Sequence, residues 1–218
     1  MLKVFFKISI LTIIILTIAC KKKTDNVLFS GTVLEPNMQI NLSDVKVILS
    51  AQVVESGTWS TNYTTLSSTT TDSEGNFNFE VESQRVSNYK ISISRTNYFD
   101  NYFIISPENV TEGEDYTDTY DIFSESVLEI NLENQYPVDS EDHITYSIEG
   151  QTFSCSNCCS ESENVFTGTN VNEIITCKLP GHQTIKITYM VVKGGNTNIY
   201  NISKYITEFE TVSVNIFY

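Results

Sequence analysis

Basic residues are scarce in this sequence: 13 lysines and arginines stand against 27 aspartates and glutamates in 218 residues, a formal net charge of −14. A surface this acidic repels phosphate backbones, and no basic patch offsets it, so nucleic acid is not an expected partner. Histidine is scarcer still, with His143 and His182 alone. Neither lies in a motif that gives a serine or thiol a base and an orienting group, and both are expected at the surface or at strand edges. No glycine-rich phosphate loop opens a helix, and there is no His-Glu-x-x-His. Carboxylates are numerous, but nothing marks two of them as a glycosidase-like pair. The chain therefore reads as a non-enzyme with no cofactor.

Alanine and leucine are sparse, whereas Thr, Ser, Asn, Ile, Val and Tyr dominate. Branching at Cβ and aromatic rings suit a pleated surface, so the composition predicts an all-β protein. Its length leaves room for two domains of about 100 residues each.

At the front, Lys3 and Lys7 precede an apolar or small run from Ile8 to Ala19, and Cys20 follows. A positive start, an apolar middle and a small residue before a cut describe a secretory signal peptide over residues 1–19. As a helix, the stretch between Lys7 and Cys20 would span about 18 Å, short of a hydrocarbon core of about 30 Å. Leu16-Thr17-Ile18-Ala19-Cys20 resembles the lipobox of bacterial lipoproteins, with Thr17 where that family prefers Leu. The resemblance implies lipid attachment at Cys20, a membrane as partner and a place in the cell envelope, on the periplasmic or the surface face of the outer membrane. Residues 20–26, with Lys21-Lys22-Lys23, form a lipidated tether similar to that of Bacteroidota-type lipoproteins.

A first β domain is expected over residues 27–123. Val27 to Leu34 opens it as a strand, and Val45, Val47 and Leu49 alternate with Lys46, Ile48 and Ser50 at a period near two. Asp72-Ser73-Glu74-Gly75-Asn76 is a turn, followed by strict alternation at Phe77, Phe79 and Val81. Tyr89, Ile91 and Ile93 continue the period. The order Gly31-x-Val33, Val45-x-Val47-x-Leu49, Thr71-Asp72-x-x-Gly75-x-Phe77-x-Phe79, Tyr89-x-Ile91-x-Ile93, Tyr98 resembles the carboxypeptidase regulatory-like domain, over residues 28–104. The resemblance implies a transthyretin-like Greek-key sandwich without catalytic activity. The stretch from Gln52 to Thr69 reads as a long loop. The Asp72 turn lacks the spacing of a calcium loop and is expected to be structural. Tyr98-Phe99-Asp100-Asn101-Tyr102-Phe103 sets rings on both faces of an extended segment, with core packing as their expected role.

Pro107 to Asp115 is polar, acidic and broken by Pro and Gly, hence a loop. Glu112, Glu114, Asp115, Asp118 and Asp121 are expected to be a solvated acidic face rather than a metal site. Tyr120 to Phe123 suits a closing strand. From Val127 alternation resumes, and the later β-like stretches Ile144–Ile148, Asn172–Leu179, Thr184–Lys193 and Thr211–Phe217 predict a second, immunoglobulin-like sandwich over residues 126–218. It shows no sequence repeat with the first.

Four cysteines, Cys155, Cys158, Cys159 and Cys177, follow Cys20. In an exported chain they are disulfide candidates. A bond between the neighbours Cys158 and Cys159 would be badly strained, which leaves Cys155–Cys158 with Cys159–Cys177, or Cys155–Cys159 with Cys158–Cys177. A zinc site from Cys155, Cys158, Cys177 and His182 is the weaker alternative. The expectation is thus a lipid-anchored envelope protein acting as a binding, adhesion or scaffold module. A surface glycan or an envelope protein is its candidate partner, a carbohydrate-binding accessory of nutrient uptake the narrower alternative, and a hydrolase the remote one.

Overall fold

A computed structural model of the chain describes residues 26–55, 58–59 and 61–218. The leader, Cys20 and the tether as far as Asp25 lie outside the described residues. Among the described residues no helix is long and apolar enough to cross a membrane.

The first sandwich is built from β1 (Asn26–Glu35), β2 (Ile40–Asn41), β3 (Lys46–Glu55), β4 (Thr58–Trp59), β5 (Thr64–Thr70), β6 (Asn76–Glu82), β7 (Val86–Ser94), β8 (Asn101–Ile105) and β9 (Asp115–Asp121). One sheet runs β6-β1-β9, with β2 extending the β6 side; the other runs β5-β3-β7-β8, with β4 beside the end of β3. The alternation predicted for β1 is complete: Val27, Phe29, Val33 and Glu35 face inward, and their neighbours are half-buried. Gly31 occupies one inward position because the Tyr120 ring fills the space of a side chain there, 2.5 Å from where a Cβ would sit. The Asp72 turn is structural, as expected. Asp72 Oδ1 accepts from Glu74 N at 3.0 Å and Asn76 N at 2.8 Å, and Gly75 takes φ 81°. That left-handed φ favours glycine.

The second sandwich consists of β10 (Glu125–Glu133), β11 (His143–Glu149), β12 (Asn164–Thr167), β13 (Asn172–Pro180), β14 (Gln183–Lys193), β15 (Asn196–Ile206) and β16 (Thr211–Phe217). Its sheets run β13-β10-β16 and β12-β11-β14-β15. Leu128, Ile130 and Leu132 of β10 pack on Ile144, Ile148, Ile185 and Ile187 from the facing sheet. The all-β pair of sandwiches expected from the sequence is present, and the strand order of the second repeats that of the first. In both, the opening strand is central in its sheet, antiparallel to the neighbour on one side and parallel on the other to the last strand of its own domain: β1 with β9, and β10 with β16. A structural repeat is thus carried by two unlike sequences.

Segments of both domains differ from expectation, β12 among them as a strand outside the expected stretches. Gln52 to Thr69 is not one long loop: it holds the end of β3, then β4, then most of β5, which pairs with β3 from Lys46 to Ala51. β15, absent from the expected strands, is eleven residues long and pairs with β14 along its whole length.

Candidate functional site

The passage between the sandwiches is short. β9 ends at Asp121 and β10 begins at Glu125, leaving Ile122, Phe123 and Ser124 between them. Every strand that reaches this point is fastened to it. Glu35, fully buried at the end of β1, accepts from Met38 N (2.6 Å) and from both the amide and the hydroxyl of Ser124 (3.3 Å each). Phe99 N donates to Phe123 O, Glu125 N to Asn97 O and Gly181 N to Ser124 O. Asn37, in the turn after β1, donates to Gly181 O at 2.8 Å and Thr152 Oγ1 at 3.0 Å across the boundary. Phe153 of the second domain packs against Phe99 and Phe123 of the first, with ring centroids 5.4 and 4.9 Å away. Beside them Phe209 meets the edge of Tyr98, whose other neighbour is the Arg95 guanidinium. Burial pushes the Tyr98 hydroxyl pKa up, while Arg95 pulls it the other way. Satisfied polar groups and an aromatic plug over a three-residue passage make the joint stiff.

Phe153 is presented by the segment that follows β11, and that segment carries the cysteines. Cys155 is bonded to Cys158, and Cys159 to Cys177 on β13. Cys159 N donates to Lys178 O at 2.8 Å, Cys158 forms a parallel bridge with Lys178, and Gln151 Nε2 donates to Cys159 O. The loop leaves one sheet, is riveted to an edge strand of the other, and inserts its ring into the joint. The disulfides therefore restrain the linkage between domains as well as the domain that contains them.

A second feature is the outer face of β12-β11-β14-β15. Register places Val165, Thr145, Met190 and Ile199 side by side in one row across four strands. Val165 and Ile199 are 59% and 66% exposed. A shallow groove of about 210 Å³ runs over Thr145, Met190 and Ile199 of this row, with Ser147, Thr188 and Glu163 on its wall. The first sandwich has a wider, open cleft of about 750 Å³ lined by charges of both signs, Asp44, Lys46, Arg95 and Asp100 among them. Such surfaces suit a ligand held by several weak polar contacts over an apolar strip.

The other candidate residues fall as follows. His143 Nδ1 bonds the Glu141 carbonyl (2.9 Å), while His182, at φ 52°, meets the Tyr205 hydroxyl at 2.9 Å and Glu208 at 3.5 Å. The three cysteines of the zinc alternative are taken up in two different disulfides. Among the described residues no three His, Cys, Asp or Glu side chains are gathered to hold a metal. Asp115, Asp118 and Asp121 are spread along β9, with Glu112 and Glu114 in the preceding loop. Of the aromatic segment, Phe99 is buried in the joint and Phe103 packs edge-on against Tyr120, but Tyr102 is 64% exposed. Core packing accounts for part of that segment and leaves Tyr102 at the surface. The joint itself carried no sequence signal beyond Phe99, because its partners come from five separate stretches of chain.

No family model and no curated protein matches the chain. Solved structures similar to it include the TIE protein of Bacillus anthracis, at 15% identity and TM-score 0.37 over 88% of this chain and 33% of that one. A streptococcal ancillary pilin matches at 13% identity and TM-score 0.31, over 88% and 63% of the two chains. A proposed carbohydrate-binding protein of Bacteroides uniformis ATCC 8492 matches at 11% identity and TM-score 0.30, over 82% and 98%. The chain thus spans a third of the first relative and less than two thirds of the second. At these TM-scores the likenesses carry no argument about what the chain binds.

Proposed function

We propose that this chain is an exported, Bacteroidota-type lipoprotein, held in the outer membrane by acyl groups on Cys20, that acts as a non-catalytic binding, adhesion or scaffold module of the cell envelope. The observation that carries the reading is the sealed joint. β1 starts at Asn26, six residues after Cys20, and runs to Glu35 at the joint; β10 leaves the joint and ends at Glu133. The tether and the β10–β11 loop therefore lie at opposite ends of a stiff pair of domains. Two strands of ten and nine residues reach about 60 Å at most between them. Such a spacer suits a protein that holds a surface away from its anchor. Two or three acyl chains supply stable attachment, which one chain does not. Disulfides suit an oxidising compartment.

The test is metabolic labelling with a fatty acid together with membrane fractionation of the wild type and Cys20→Ala. Label and membrane retention in the wild type, both lost in the variant, support the anchor. Equal fractionation with no label on either would sink it. A second reading, a carbohydrate-binding accessory of nutrient uptake, is favoured by the groove over Met190 and Ile199. Hydroxyls beside an apolar strip complement the polar rim and apolar face of a sugar ring. A glycan array with the chain from Lys21 onward separates the two, since selective hits lost in Met190→Asp would favour the sugar.

A further inference from the structure

Each sheet ends in strands with a free edge, and β9 and β15 are two of them. β9 pairs only with β1 and β15 only with β14, and among the described residues no strand covers the other side of either. Their charges are opposite. From Glu112 to Asp121 there are five acidic residues and no basic one, whereas β15, from Asn196 to Ile206, carries Lys204 and no acidic residue. Each edge also carries a charge on its core-facing side, where strands normally place apolar residues. By register Asp118, itself exposed, sits opposite inward-facing Gly31 on β1, and half-buried Lys204 opposite the fully buried Ile185 on β14.

An inward-facing charge on an edge strand works against pairing with an identical edge, since it would bring like charges together. Here the two inward charges have opposite signs. Pairing of β9 with β9, or of β15 with β15, is disfavoured, while pairing of β9 with β15 joins edges whose charges, Asp118 and Lys204, are of opposite sign. We infer that a second copy of this chain is the partner, joined through an intermolecular sheet in which β15 of one copy pairs with β9 of the next. β9 belongs to the first sandwich and β15 to the second, so the contact is heterologous and leaves a free edge of each kind for further copies. Chains sharing a membrane surface would associate at lower bulk concentration, because tethering raises their local concentration.

The test uses the chain from Lys21 onward, which contains both sandwiches, in sedimentation velocity at about 100 µM protein and about 20 mM salt. The wild type is expected to show concentration-dependent association that weakens as salt rises. Asp118→Lys and Lys204→Glu should each weaken it by roughly tenfold. An equimolar mixture of the two variants should restore it, because each reversed edge then finds its complement. Circular dichroism melts of each variant check that the sandwiches remain folded. A wild type that stays monomeric, single reversals that associate as well as wild type, or a mixture no better than its parts would each overturn the assignment.

Discussion

The ring of Phe153 lies stacked on that of Phe123, centroids 4.9 Å apart and planes 26° from parallel, so a side chain of the second sandwich closes the exit of the first. Phe153 is half-buried, and trimming it removes contacts with both Phe123 and Phe99. Phe153→Ala should cost about 2 kcal/mol, below the range for a fully buried phenylalanine. The diagnostic effect is on cooperativity. Urea unfolding of the wild type is expected as one transition, and that of the variant as two, with small-angle scattering reporting a broader range of interdomain angles. One unchanged transition would show that the joint does not depend on this ring.

Thiol chemistry gives a separate check. Digestion without reduction should yield one peptide set joined through Cys159 and Cys177 and another holding Cys155–Cys158 internally. The longer bridge closes a loop with a sequence separation of 18, which corresponds to about 3 kcal/mol of stabilisation on the chain-entropy estimate. The Cys155–Cys158 bridge, separated by 3, corresponds to about half of that. Reduction should therefore lower Tm strongly, and the paired change of Cys155 and Cys158 to Ala only mildly. Equal effects would place the restraint elsewhere.

Gly181 is a steric requirement of the joint. A Cβ there would lie 2.4 Å from Glu208 Cα and 2.8 Å from Ser126 Oγ, and the first of these is backbone that cannot swing away. Gly181→Ala should destabilise by about 1–3 kcal/mol, as overpacking does. Gly113→Ala, where nothing lies within 4 Å, is the control for added bulk, although its φ of 78° brings its own strain. If Gly181→Ala melts with the wild type, the loop around Glu208 is softer than its contacts imply.

At the far end of the second sandwich, Asp142 ties down the β10–β11 loop and, through its carbonyl, Gly168 of the β12–β13 turn. Burial opposes its ionisation, but hydrogen bonds from Val138 N and Asn134 Nδ2, with Lys193 nearby, outweigh that and hold its carboxyl below the ordinary 3.8. Around that pH the unfolded chain binds the proton first. The contribution of Asp142 is thus complete above the unfolded pKa and is lost as pH falls through the lower folded value. Asp142→Asn should lower Tm at about pH 7 and flatten the acid limb of the Tm–pH profile. A variant whose acid limb matches the wild type would assign that limb to other carboxyls.

The strands that were legible in the sequence are those with a buried face. β1, β6, β7 and β10 alternate because one side meets a core, and Phe77 and Phe79 follow their turn as expected. β15 was invisible for the opposite reason: Asn196 to Asn201 are all exposed, so no period of two is imposed on them. β5 and β9 are edge strands of Ser, Thr and Asp whose backbone pairing, rather than hydrophobic pattern, makes them strands. The cysteines left two pairings open. The choice between them follows from the bond between Cys159 N and Lys178 O, which brings Cys159 beside Cys177 and is a tertiary fact. The joint was not legible beyond Phe99, since Glu35, Asn37, Phe99, Ser124 and Phe153 meet only when both sandwiches have formed.

Parallel pairing of the first and last strands in each sandwich has a mechanical consequence. A pull that enters at Asn26 and leaves through Ser124 drags β1 and β9 along each other in opposite senses. All seven residue pairs from Leu28–Asp115 to Leu34–Asp121 then bear the load together in shear instead of opening one by one like a zipper. β10 and β16 repeat this over seven pairs. A chain of this design resists being drawn out by a force along its length far better than its modest size suggests.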